Sequence, residues 1–294
     1  MSGKPLDGRV ALVTGAGRGL GRAYAKALAA HGARVSVNNR SPEPAATLVK
    51  EITDAGGEAI ACPADLETPG AAAEIVDVTL EALDRLDIVV NNAGGAEAGR
   101  VPFATTPPEV RDAIMRQNFA TAWDVTQAAW PHLVAPRYGR IVLTASPIAV
   151  YGADGFGHYA AAKGAVIGLA RTLAVEGAEH GITANVLNPL AATAEMPDSD
   201  FGRWYAATFG VEHVAAALAW LVDERCVTTG EIFSIGGRRV ARLSIAEGPG
   251  FLAPTPLARG ESLGDNFEAV FASDDGRQLA KLDEFMGFVS GLHQ

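Results

Sequence analysis

The chain has 294 residues, 48% of them hydrophobic, which is ample for a buried core and too apolar for a disordered segment. Its 24 Lys and Arg against 34 Asp and Glu leave a net charge of −10. That balance repels a phosphate backbone, and with no dense basic run a nucleic-acid partner is not expected. Cys62 and Cys226 match neither a metal-ligand spacing nor a disulfide framework, so no metal is expected. Residues 1–8 lack the apolar core of a secretory leader, and no apolar run is long enough to cross a bilayer. The expectation is a cytoplasmic protein with no membrane partner.

Taken in order, residues 9–13 read as a buried strand, followed by a glycine-rich turn and a helix through Ala30. A second strand spans 33–38, a helix 43–55, and a third strand 58–62. A helix over 70–83 leads to a fourth strand at 87–90, and a long helical region runs over 108–134. The fifth strand is expected at 140–144, then an Ala-rich helix, a sixth strand at 182–187, a helix at 212–221 and a seventh strand at 231–235. The strands are apolar throughout and alternate with helices, which implies a parallel sheet covered on both faces. The reading is an α/β fold: one Rossmann-type doubly wound domain with a seven-stranded parallel sheet over residues 1–240. Residues 241–294 form a C-terminal extension, with a loop over 253–275 and a helix over 277–292, packed on the domain or on a sister subunit.

The first turn carries Thr14, Gly15, Gly19 and Gly21 in the pattern TGxxxGxG, with Arg18 and Leu20 between the glycines. Glycines let backbone approach a pyrophosphate, and a helix N-terminus offers amides and a positive dipole end. Three further stretches fall at carboxyl ends of strands, where such a sheet presents its ligand. Asp65, with Leu66 beside it, is a candidate for the adenine amino group. Asn92, Ala93 and Gly94, in Asn-Asn-Ala-Gly after strand four, offer amides and a close-approach glycine. Pro189 and Thr193 follow strand six, with Thr193 in reach of a carboxamide. The tip of strand two has Asn39 and Arg40 where a free ribose 2′-hydroxyl usually meets an acid. Arg40 and Arg18 suit a 2′-phosphate, so the cofactor expected is NAD(P) with a lean to NADP.

Tyr159 and Lys163 are four residues apart on a helix and share a face. A phenol loses its proton near pH ~10, and a neighbouring ammonium favours the phenolate. Ser146, thirteen residues before Tyr159 at the end of a strand, can hold a substrate oxygen against that phenol.

These motifs, in this order, closely resemble the short-chain dehydrogenase/reductase family over residues 6 to 245. The resemblance implies that Tyr159 gives or takes a proton, Ser146 binds the reacting oxygen and Lys163 holds the nicotinamide ribose and lowers the tyrosine's pKa. Asn118 is implied to support a proton path to the lysine, and the cofactor set includes Tyr159 and Lys163. Homo-oligomers, as tetramers or dimers, are implied as well. The stretches around Trp130, Arg140, Glu176 and 230–237 narrow the resemblance to the D-3-hydroxyacyl-CoA dehydrogenase domain of peroxisomal multifunctional enzymes of type 2. That implies oxidation of a secondary alcohol on an acyl-CoA or a steroid-like body. Two alternatives stay open: a reductase of small uncharged ketones or diketones, and a non-catalytic dinucleotide sensor. Arg238, Arg239 and Arg242 discriminate, since a CoA phosphate requires nearby cations. Leu190 follows Asn-Pro where the family often has Gly, and Pro147 follows the serine directly.

Overall fold

Every residue of β1 (Val10–Val13) is buried, because helices cover both faces of the sheet that it centres. The computed structural model describes residues 3–193 and 198–248, and the backbone of Arg277–Gln278. After β1 come α1 (Gly19–Ala30), β2 (Arg34–Asn39), α2 (Pro42–Asp54), β3 (Glu58–Pro63), α3 (Ala71–Leu83) and β4 (Ile88–Asn91). Then follow α4 (Pro108–Met115), α5 (Thr121–Val134), β5 (Gly139–Thr144), α6 (Pro147–Tyr151), α7 (Gly157–Gly177) and β6 (Ile182–Pro189). The series continues with α8 (Asp200–Thr208), α9 (Val211–Leu221), β7 (Ile232–Gly236) and β8 (Arg239–Leu243).

The sheet has eight strands in the order β3-β2-β1-β4-β5-β6-β7-β8, and β1 to β7 pair in parallel. Seven were expected. The eighth lies in the basic run 238–243, and Gly237 and Arg238 join it to β7 with φ of 54° and 67°. Positive φ at both residues of a two-residue loop makes a tight hairpin whose twist suits its strands. The direction of winding reverses between β1 and β4, which opens a crevice at their carboxyl ends. On one face α1 packs against α9 and α2, and on the other α5 packs against α3 and α7.

The long helix expected over 108–134 is interrupted. Arg116–Ala120 form a π-helical turn between α4 and α5, a widening common at functional sites. Two short helices, α6 and α8, were not read from the sequence at all.

At the opposite, amino end of the sheet, a polar cluster ties the strands together. Asp87 is fully buried; it accepts from the Val10 amide at 2.9 Å, from Arg9 at 3.3 Å and from Arg85 at 2.6 and 2.8 Å. Such a carboxylate is tolerable inside only because each oxygen is hydrogen-bonded. The Tyr138 ring lies 3.6 Å from the Arg9 guanidinium and 4.0 Å from that of Arg140.

The chain divides into two units, Met1–Arg242 and Leu243–Gln294. In the second, β9 (Ala246–Glu247) pairs antiparallel with β10 (Arg277–Gln278). The expected helix over 277–292 thus begins as strand in its first two residues, where the backbone bonds to 246–247 instead. The rest of that helix and the expected loop over 253–275 lie outside the described residues.

Candidate active site

The glycine turn after β1 is built for close approach. Gly15 has φ +61°, and a Cβ there would lie 2.8 Å from the Ala93 Cα. A Cβ at Gly21 would overlap the Gly15 carbonyl and sit 2.9 Å from the Ala16 Cα. Arg18, the N-cap of α1, makes no side-chain bond to the helix, so the first-turn amides are available to an anion. Thr14 locks this turn to the one after β4. Its hydroxyl donates to the Val90 carbonyl at 3.3 Å and accepts the amides of Asn92 and Ala93, each at 3.0 Å. The Asn92 amide group donates back to the carbonyls of Thr14 and Gly15 at 3.0 and 3.2 Å.

A cleft of about 140 Å³ opens beside these turns. Gly15, Arg18, Asn39, Arg40, Asp65 and Leu66 line it, as do Asn92, Ala93 and Gly94. Nine residues expected at a cofactor are thereby brought together. Asn38 is buried behind them, donating to the Cys62 and Ala64 carbonyls at 3.0 and 3.3 Å. Asn39 donates to the Ser41 carbonyl at 2.9 Å, while Arg18 and Arg40 are exposed. Asp65 accepts the Glu67 amide at 3.1 Å and so shapes its own turn. Across the cleft, a Cβ at Gly19 would meet Thr193 at 3.5 Å, which brings the turn after β6 to the glycine turn. Pro189 ends β6, and Leu20 is half-buried in α1. The cradle that these glycines leave open, with uncapped amides and two arginines, fits a dinucleotide phosphate.

Beyond β5 stand the hydroxyls. Ser146 caps α6, accepting the Ile148 amide at 3.3 Å. Pro147 takes the first helical position, where its missing N–H costs nothing, so the residue that departs from the family pattern also starts this helix. Tyr159 lies in the first turn of α7, where the Ser146 hydroxyl is close enough to bear on its phenol. Lys163, 3% exposed, donates to the Thr144 carbonyl at 2.9 Å. Its Nζ is 5.9 Å from the centre of the Tyr159 ring.

The electrostatics differ from expectation. Burial pushes the Tyr159 phenol above its ordinary range; the Ser146 hydroxyl draws it down and the Glu97 carboxylate pushes it up. Burial lowers Lys163 to about 8, opposed by Glu97. Both groups are desolvated, and a lysine driven toward its neutral form brings less positive charge to the phenol.

Asn118 sits in the π turn, 1% exposed. Its amide group donates to the carbonyls of Gly95 and Ile114 at 2.9 and 3.1 Å. Its Oδ1 has no partner among the described residues. A Cβ at Gly94, which has φ +133°, would come within 3.0 Å of the Asn118 Cγ. The turn after β4 is therefore moulded onto Asn118. Glu97 and Gln117 also line the cleft, and sequence reading missed both. Neither falls in a recognisable motif; Glu97 follows the Asn-Asn-Ala-Gly glycine by three residues without a signal of its own.

Comparison with known proteins agrees with this arrangement. The short chain dehydrogenase family model matches residues 9–202. The peroxisomal multifunctional enzyme type 2 of Mus musculus is 34% identical over 98% of this chain and 40% of its own length. A versicolorin reductase of Emericella nidulans is 40% identical over 74% of this chain and 82% of its own. The solved full-length peroxisomal multifunctional enzyme type 2 of Drosophila melanogaster superposes with a TM-score of 0.82 at 30% identity, covering 97% of this chain and 49% of that one. The chain thus spans less than half the length of both multifunctional relatives. Among the described residues no helix is long and apolar enough to cross a membrane. The chain belongs to the short-chain dehydrogenase family and is an oxidoreductase, with the doubly wound fold in which that family binds NAD(P).

Proposed function

We propose that the protein interconverts a secondary alcohol and a ketone, with Ser146, Tyr159 and Lys163 as the working groups. The observation that carries this reading is that the Ser146 hydroxyl bears on the Tyr159 phenol while Lys163 lies buried behind it, bonded to the Thr144 carbonyl. Ser146 and Tyr159 hold the reacting oxygen between two hydroxyls. The Tyr159 phenol donates its proton as that oxygen becomes an alkoxide, and in the reverse direction it accepts one. Lys163 fixes the far side of the site and tunes the phenol, and Asn118 holds the turn after β4 in register. A nicotinamide dinucleotide, when bound, supplies or takes the hydride. Gly15, Gly19, Leu20, Asn92, Ala93, Gly94, Pro189 and Thr193 would hold it, with Asp65 and Leu66 at the adenine. Arg18 and Arg40, together with the absence of an acid at Asn39, favour NADP(H).

A 3-hydroxyacyl-CoA is the leading substrate, with a hydroxysteroid as a related body. Arg238 and Arg239 are exposed at the β7–β8 hairpin and suit the phosphates of CoA. Arg242 is committed differently: it donates to both Glu231 carboxylate oxygens at 2.7 Å. That pairing removes one of the three cations available for CoA and favours, as a second reading, an uncharged ketone. The groove between α5 and α7, lined by Phe119, Trp123 and Trp130 with a volume of about 510 Å³, suits assembly with a second copy of the chain.

The test follows absorbance of reduced nicotinamide with a 3-oxoacyl-CoA, using NADPH and NADH in parallel. Turnover is expected, faster with NADPH at limiting concentration. Tyr159→Phe is expected to abolish it while cofactor binding persists; undiminished turnover in that variant refutes the assignment. Consumption of uncharged ketones only would select the second reading.

A further inference from the structure

The geometry points to Phe103 as a specificity-determining residue that receives the apolar body of the substrate, an inference that rests on the alcohol–ketone reading above. Phe103 is 88% exposed, yet it does not hang from a loose loop. It begins a single 3-10 turn, Phe103–Thr105, that is tied down on both sides. The Val101 amide donates to the Gly155 carbonyl at 2.8 Å, and Arg100 is ion-paired with Asp154. The Thr106 hydroxyl donates to the Pro102 carbonyl at 3.0 Å, and that of Thr105 to the same carbonyl at 3.3 Å. The first two bonds clamp residues 100–101 to 154–155, just before the helix that carries Tyr159, and the threonine hydroxyls brace the turn itself.

Gly157, two residues before Tyr159, completes the placement. A Cβ there would lie 3.5 Å from the Phe103 ring, so the ring rests over the first turn of the helix that carries the phenol. Tyr151 is 74% exposed and Val150 is also exposed, both on α6, the helix that Ser146 caps. Exposed apolar side chains therefore stand on α6, which Ser146 caps, and over the first turn of α7, which carries Tyr159. A phenylalanine left in water forfeits the whole benefit of burial, and one held rigidly at the start of the helix that carries the phenol recovers it whenever an apolar substrate docks. Arg100, at the start of this segment, is neutralised by Asp154. The groove proposed above for a second copy lies between α5 and α7, away from this turn, which leaves an apolar ligand as the occupant of the Phe103 face.

Phe103→Ala and Phe103→Leu test this with 3-oxoacyl N-acetylcysteamine thioesters of increasing chain length, which carry no CoA phosphate. In the wild type, kcat/KM with NADPH is expected to rise with chain length. Phe103→Ala is expected to cut the long-to-short ratio by about tenfold, the scale of an aromatic contact with an acyl tail, and Phe103→Leu to restore most of it. Binding of the same thioesters by calorimetry, with and without Phe103→Ala in the Tyr159→Phe background, reads the inference independently of turnover. Chain-length-dependent binding that needs Phe103, without turnover in the wild type, would refute the function and keep the inference. A long-to-short ratio unchanged within about twofold, in turnover and in binding, overturns it. So does a change of oligomer mass in Phe103→Ala by light scattering, which would assign the ring to a subunit contact.

Discussion

The glycine cradle allows a steric experiment whose size can be worked out beforehand. In Gly21→Ala the new methyl would overlap the Gly15 carbonyl and sit 2.9 Å from the Ala16 Cα, about half an ångström inside ordinary contact. The Asn92 amide group, which the methyl would also crowd, can give way, but these two obstacles are backbone and cannot swing aside. Relief requires the turn over residues 15–19 to move outward, carrying the amides that face a pyrophosphate. Overpacking of this kind costs about 1–3 kcal/mol of stability, which corresponds to a fall in Tm of roughly 2–12 °C for a domain of this size. Loss of one charge-assisted hydrogen bond to phosphate, about 1.5–3 kcal/mol, weakens cofactor binding by roughly 10- to 150-fold. The control is Gly56→Ala. Gly56 also has an unusual backbone, φ +81°, but nothing lies within 4 Å of its added methyl. It should lose stability through backbone strain alone, about 1–2 kcal/mol, and bind cofactor normally. Fluorescence titration with NADPH and a thermal melt distinguish the two variants. If Gly21→Ala binds NADPH within about twofold of wild type, the close-packed cradle is not what holds the phosphate.

Two further variants probe the two ends of the sheet. Asp87→Ala strands the Val10 amide and part of two guanidinium groups, at a cost of about 3–5 kcal/mol and a drop in Tm of roughly 6–20 °C. Because Asp87 lies at the amino end, away from the strand ends that carry Ser146 and Asn92, activity per folded molecule should survive; a loss of kcat at full folding would contradict this division. Glu97→Gln removes a carboxylate that raises both Tyr159 and Lys163, so both groups should lose their protons at lower pH. The acid limb of the alcohol-oxidation profile should then move to lower pH, by less at high salt because Glu97 is exposed. A limb that stays fixed or moves upward would mean that Glu97 does not bear on the phenol.

The parts of the fold that were legible share one cause. Strands such as Val10–Val13, buried on both faces, have to be apolar along their whole length, and glycine turns at their ends are dictated by backbone contacts such as Gly15 on Ala93. What stayed hidden depends on tertiary fit. The π turn at 116–120 keeps helical periodicity on either side, and its extra residue is marked only by Asn118 reaching Gly95 and Ile114. The strand after β7 was concealed by its arginines, since one of them is neutralised by Glu231 on the neighbouring element and the others face water. The shared helix face of Tyr159 and Lys163 was visible from spacing, but their titration was not: the burial that lifts the phenol and lowers the ammonium is a property of the packed core.

The Thr14 hydroxyl has one proton and two lone pairs, and all three are engaged between the turn after β1 and the turn after β4. Its partners are all backbone groups, so the fastening hangs on the one side chain: loss of the Thr14 hydroxyl releases three bonds at once, and only proline at 92 or 93 would break it from the other side. A single hydroxyl thus acts as a three-way splice between two loops that share no covalent neighbour, and the register of one loop fixes that of the other.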